Sequence, residues 1–335
     1  MTTTIAIGYE KNLPATDPEA LIAREVDVPA LGPHDLLVEV EAVSVNPVDV
    51  KQRAGAPANG FNVLGFDAAG TVREVGPEVT LFAPGDEVFY AGSIDRVGTN
   101  QRLHAVDERI TGRKPSTLSF ADAAALPLTA ITAWETLFDR LRLTADTAGT
   151  LLVIGATGGV GSIMLELAEA LLPGVTVIAT ASDEERATWV RDLGAEHTVD
   201  HHGDLAAQVQ GIAPDGVDWV FTAHSDGQIE TYAQIVAPFG HIVAIDDGPR
   251  DVYPLKGKSI AWHWELMFTR PLQHTPDMIE QHRLLNQVAD LIDQGLIRAT
   301  TTQALTPISP ATMREAHALV ESGRTIGKVV VHAWQ

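Results

Sequence analysis

The chain has 335 residues, 45% of them hydrophobic, and its 44 acidic side chains outnumber 23 basic ones to give a formal charge of −21. That length and apolar content allow at least one full core and suit two domains, which excludes a disordered or fibrous class. The negative charge repels nucleic-acid phosphates and anionic lipid, no apolar run nears the roughly 20 residues that span a bilayer, and the absence of cysteine removes disulfides, thiolate nucleophiles and every Cys-containing zinc site. The opening MTTTIAIGYEKNLP has no basic-then-apolar signal peptide, so a cytoplasmic protein without nucleic-acid or membrane partners is expected.

The first 120 residues read as short strands and turns. Leu36-Leu37-Val38-Glu39-Val40-Glu41-Ala42-Val43 partly alternates, and Gly65, Gly70, Gly76, Pro77, Pro84 and Gly85 punctuate the stretch beyond it, which predicts a β-rich domain over 1–122. Ser119-Phe120-Ala121-Asp122 is a capping box before the helical AAALPLTAITAWETLFDRL. From Thr150 the pattern changes, because LLVIGA is a continuous apolar run suited to a strand buried on both faces of a parallel sheet. Strand and helix then alternate: Val175-Thr176-Val177-Ile178-Ala179 before a helix to Leu193, Val217-Asp218-Trp219-Val220-Phe221 before a helix through Val236, then Gly240 opening HIVAID. The fold class is α/β, a doubly wound parallel sheet over 123–299 beside the β-rich domain. Thr275-Pro276 and Ser309-Pro310 each place a capping residue before a proline and predict two more helices, and Lys328 to His332 is the last strand.

Gly155-Ala156-Thr157-Gly158-Gly159-Val160-Gly161 lies directly after the LLVI strand and directly before the apolar helix SIMLELAEALL. Glycines there let backbone approach a pyrophosphate, and the amides at the helix start present positive charge to it, so Thr157, Gly158, Gly159, Val160 and Gly161 are candidate cofactor contacts. Ala156 replaces the first glycine of the G-x-G-x-x-G pattern, and the rival reading is a turn that merely packs. About twenty residues on, where an acidic side chain would mark NAD(H), stand Ala181 and Ser182. A hydroxyl leaves room for a 2′-phosphate and Arg186 supplies a counter-charge one turn later, so NADP(H) is favoured over NAD(H). Asp183, Glu184 and Glu185 oppose this, and Ser182 to Glu185 is itself a capping box.

With SVNPVDVKQRAG at 44–55, LGFDAAGTV at 64–72, GDEVFYAG at 85–92, LPLTAITAWETL at 126–137 and GATGGVG at 155–161, the chain resembles the medium-chain dehydrogenase/reductase superfamily and its quinone oxidoreductase (zeta-crystallin-like) branch. HWELMFTR at 263–270 and the DMIEQHRLLN after it resemble the subgroup of zinc-type alcohol dehydrogenase-like proteins. The resemblance implies a GroES-like catalytic domain completed by about 300–335, a Rossmann domain, an active site in the cleft between them, and a homodimer or homotetramer. It also matches the zinc ligands of metal-dependent relatives to Asn46, Phe66 and Leu128, which cannot hold zinc as Cys, His and Cys do, so no zinc is expected.

Without a Lewis acid, hydride addition to a quinone or enone is easier than alcohol oxidation, which makes a small activated carbonyl compound the expected substrate. Carried over residue by residue, the resemblance puts Asn46 near the nicotinamide ribose or substrate oxygen and Lys51 where some relatives have tyrosine, its ammonium a candidate for stabilising an enolate. Tyr90 and Trp264 are candidates for an aromatic wall. Thr129, His201, Ile245, Asp246, His263, Trp264 and Glu265 are further candidate cofactor contacts. A surface lysine and core aromatics are the plain alternatives for Lys51, Tyr90 and Trp264. His197, Asp200, His201 and His202 read as a surface loop rather than a metal site. Rival functions are an alcohol or aldehyde oxidoreductase and a non-catalytic NADP(H)-binding module of the crystallin type.

Overall fold

The computed structural model describes residues 2–335, which form two compact units: the chain up to Ile131 together with Phe268–Gln335, and Thr132–Met267. The return to the first unit therefore starts at Phe268 rather than near residue 300.

In the first unit the longest strand, Asp35–Val45, carries the sheet. The main order is Thr301–Leu305, Lys328–His332, Asp35–Val45, Ala68–Val75, Glu87–Tyr90 and Thr111–Arg113, with Leu103–Asp107 also on Asp35–Val45. The partial alternation at 36–43 is explained by burial: Leu36, Val38, Val40 and Val43 are core side chains while Glu39 and Glu41 are not. They pack with Leu64, Val88 and Val331. Ser309 accepts from Thr312 N and Pro310 opens the helix Pro310–Glu321, as the sequence predicts. Thr275-Pro276 does not open its helix. A turn held by the Arg270–Asp277 ion pair intervenes, and the helix is Glu280–Asp293.

In the second unit six parallel strands run in the order His197–Val199, Val175–Thr180, Gly149–Ile154, Val217–Thr222, Val236–Ala244 and Ala261–Trp264. This is the doubly wound order, with its reversal beside Gly149–Ile154. Leu151 to Ile154 are all buried, as a central strand requires. The helical run after Ser119 is broken at Pro127, whose missing N–H suits a first helical position: Phe120–Ala124, then Pro127–Trp134, then a π-helical turn Glu135–Arg140. Among the described residues no helix is long and apolar enough to cross a membrane.

Candidate functional site

The glycine turn sits at the carboxyl end of Gly149–Ile154. Gly155 takes φ +83°, its N–H donates to Thr180 Oγ1 at 3.0 Å, and its carbonyl accepts from Gly158 N at 3.1 Å. The helix Gly159–Leu171 starts with Gly158 as N-cap and no side chain on its first amides. A Cβ on Gly161 would stand 2.5 Å from Ala156 Cα and Gly155 O, whereas one on Gly158 would meet only Gly155 O at 3.5 Å. Gly161 therefore lets helix and turn pack, and Gly158 leaves space in front of the uncapped amides. Thr157, Gly158, Gly159 and Val160 are partly exposed around that space. An anionic phosphate fits there.

At the next strand end the cap of Glu184–Asp192 is Asp183, not Ser182. Asp183 Oδ1 accepts from Arg186 N at 2.9 Å, and Arg186 Nη1 reaches Asp183 Oδ2 at 2.5 Å. The capping-box reading of Ser182 is thus corrected: its hydroxyl sits outside the helix, with only a 3.3 Å bond to Asp183. The Arg186 guanidinium neutralises Asp183, which removes part of the repulsion that the acidic run suggested. His201 is held below the usual histidine range by partial burial and by the charges of His202, His224 and Arg186. His224 also approaches the glycine turn, its Cδ2 lying 3.7 Å from where a Gly155 Cβ would be.

Two strand-end loops are tied together by Asp246. Its carboxylate accepts from Ser225 N at 2.7 Å, Ser225 Oγ at 2.8 Å and Arg250 Nη2 at 2.8 Å. Arg250 Nε closes the circuit onto Ser225 Oγ at 2.8 Å. Asp246 is therefore a tie between loops with its acceptor capacity largely used. Ile245 beside it is half-buried and donates its N–H to Thr222 O at 3.1 Å. On the edge strand, His263 Nε2 lies 3.1 Å from His241 Nδ1, Trp264 is half-exposed, and Glu265 is buried with Arg140 Nε on its Oε2 at 2.7 Å.

The first unit holds a buried polar network. Asn46 is the N-cap of Pro47–Gly55, and Asp49 Oδ2 accepts from its N–H at 2.8 Å while Oδ1 accepts from Gly65 N at 2.9 Å. Asp67 Oδ1 accepts from Leu128 N at 2.7 Å. Its Oδ2 accepts from Asn46 Nδ2 at 2.8 Å and from Lys328 Nζ at 3.0 Å. Lys328 Nζ also donates to Asn46 Oδ1 at 2.5 Å. Asn46, Asp49, Asp67 and Lys328 are each at most 4% exposed. Burial pushes the Asp49 carboxyl up to about 7, with the Asp67 charge adding to the shift, and burial raises Asp67 as well. Phe66 instead packs edge-on against Phe268 at 5.3 Å. Among the described residues no three His, Asp or Glu side chains converge as a metal ion requires.

Lys51 is exposed on the helix Pro47–Gly55, and Thr129 is buried with its hydroxyl on Leu126 O at 3.0 Å. Tyr90 corrects the aromatic-wall expectation: it is fully buried, stacked on His104, with its hydroxyl 3.1 Å from His104 Nδ1. His104 Nε2 donates to Val97 O at 2.9 Å, and burial holds the ring down to about 4, so the neutral imidazole accepts the tyrosine proton. Sequence reasoning missed Lys328, Asp67, Asp49, His224 and the Ser225–Arg250 circuit. For Lys328 one signal existed, a lysine opening the apolar run Lys328-Val329-Val330-Val331.

Residues 32–130 match the alcohol dehydrogenase GroES-like domain and residues 193–331 match the zinc-binding dehydrogenase family. A zinc-type alcohol dehydrogenase-like protein of Staphylococcus aureus is 40% identical over 97% of this chain and 99% of its own. A solved structure from Rhizobium etli, provisionally described as a zinc-dependent alcohol dehydrogenase protein, is 50% identical with TM-score 0.95, covering 100% of this chain and 99% of that one. The quinone oxidoreductase of Escherichia coli, solved with NADPH, is 25% identical with TM-score 0.84, covering 98% and 99%.

Proposed function

Because the chain belongs to the zinc-type alcohol dehydrogenase-like proteins of the medium-chain dehydrogenase/reductase superfamily and is an NAD(P)H-dependent oxidoreductase, we propose that it reduces a quinone, enone or related activated carbonyl compound with NADPH and without zinc. The observation that carries this reading is the donor set at the three positions matched to zinc ligands. Asn46 has its oxygen turned to the Lys328 ammonium and its amide nitrogen to Asp67, Phe66 offers a hydrocarbon ring, and Leu128 offers only a backbone amide that already serves Asp67. These residues do not fit a zinc ion, which takes nitrogen, sulfur or carboxylate ligands.

When bound, NADPH supplies the hydride. This chain's own part is to hold and orient. The uncapped amides after Gly158 would take the pyrophosphate, and Ser182 and Arg186 the 2′-phosphate. The NADPH held by the Escherichia coli relative supports that choice of cofactor. An already electrophilic acceptor needs orientation and a hydrogen-bond donor, both of which protein groups supply without a metal. The same reading carries a cytoplasmic homodimer or homotetramer.

A panel of quinones, enones and aldehydes, tested with NADPH and NADH on protein of measured metal content, decides the matter. Chelator-insensitive NADPH oxidation with quinones or enones is expected. Turnover that needs added zinc and an alcohol would replace the reading with an alcohol dehydrogenase, and tight NADPH binding with no acceptor reduced would replace it with a binding module.

A further inference from the structure

Lys328 opens a strand whose other early members, Val329, Val330 and Val331, are core residues, and it is itself 4% exposed. A buried ammonium persists only where partners compensate its lost hydration. It has two such partners, Asp67 Oδ2 at 3.0 Å and Asn46 Oδ1 at 2.5 Å, and these two side chains also bond each other.

That triangle fixes which way round the Asn46 carboxamide sits. Reversed, its NH2 group would face the ammonium and its oxygen would face the Asp67 carboxylate, replacing two attractions by two repulsions. In the orientation found, the oxygen accepts from Lys328 and one Nδ2 hydrogen goes to Asp67, which leaves the second Nδ2 hydrogen as the donor the side chain can direct to another group.

We propose that Lys328 is a positioning residue for the reduction proposed above: with Asp67 it locks the orientation of Asn46 so that its NH2 group keeps one hydrogen to donate, suited to an acceptor oxygen that gains negative charge during hydride addition. The proposal rests on that functional reading for its consequence, but not for the lock itself. A donor held in place before charge develops favours the transition state over the neutral ground state, so the lock acts on kcat more than on cofactor binding.

Two variants test it. In Lys328→Ala, ethylammonium chloride should restore much of the lost melting temperature, or the folded state itself if the variant is unfolded, while tetraethylammonium at equal ionic strength should not. No difference between the two salts would show that no cation is needed there and would overturn the lock. Lys328→Met with Asp67→Asn removes both buried charges together; it should bind NADPH within about threefold of wild type yet lose on the order of ten- to a hundredfold in kcat with little change in acceptor KM. Full kcat in that folded double variant would overturn the positioning role. If the wild type reduces no acceptor at all, the functional reading fails, and the ethylammonium comparison still judges the lock.

Discussion

Gly161 stands so close beneath Ala156 that a Cβ on it would lie 2.5 Å from the Ala156 Cα, inside any real carbon–carbon contact. Gly161→Ala should therefore displace the turn, lowering both thermal stability and NADPH affinity. Gly158→Ala meets only ordinary contact at 3.5 Å and should keep its melting temperature while weakening NADPH by roughly tenfold, because the methyl enters the phosphate space. Fluorescence titration beside thermal melts checks the pair; equal affinity in Gly158→Ala would move the pyrophosphate elsewhere.

Ser182 is free of the capping duty that Asp183 performs. Ser182→Asp should leave the melting temperature unchanged and shift the NADPH-to-NADH preference toward NADH by about tenfold or more, since a second carboxylate would repel a 2′-phosphate. Cofactor dissociation constants measured for both nucleotides decide this, and an unchanged ratio would take the 2′-phosphate away from this loop.

Tyr90 donates to the bare Nδ1 of neutral His104 inside the core. Tyr90→Phe should cost about 1 to 3 kcal/mol of stability by leaving that nitrogen unsatisfied, and should leave turnover intact. Denaturant unfolding and steady-state rates separate the two effects; a large fall in kcat at unchanged stability would restore Tyr90 to the substrate site.

Asp49 titrates near 7 in the folded chain against 3.8 for an exposed aspartate. The folded state thus keeps a proton that the unfolded chain releases, so this contribution is complete below about 4 and is lost as pH rises through about 7. Relative to Asp49→Asn, the wild type should lose on the order of 4 kcal/mol at most across that window, near 1.4 kcal/mol per pH unit. Unfolding free energies of both proteins from pH 4 to 8 give the difference directly, and parallel curves would contradict it.

Local grammar carried much of the fold. The uninterrupted apolar run at 151–154 is a central parallel strand, and Ser309-Pro310 is a helix start, because in each case neighbours in sequence supply the deciding interactions. Where a distant partner decides, the sequence misleads or is silent. Thr275-Pro276 has the same local signature as Ser309-Pro310, yet the Arg270–Asp277 pair holds a turn in its place. Serine and aspartate are equally good caps, so nothing within Ser182-Asp183 tells which of them starts the helix. The glycine turn was legible for the first reason. The polar network was not, since Lys328 meets Asn46 across 282 residues and Asp67 across 261.

That separation has a consequence for biosynthesis. The strand bearing Lys328 inserts between Asp35–Val45 and Thr301–Leu305, in the interior of a sheet whose remaining members all lie before residue 114. Until it emerges from the ribosome, Asp35–Val45 has an unsatisfied flank and the interior Asp67 lacks its counter-ion. A chain interrupted before it would expose that flank to chaperones and proteases, so the reading of the message through its late codons is registered in the GroES-like unit itself.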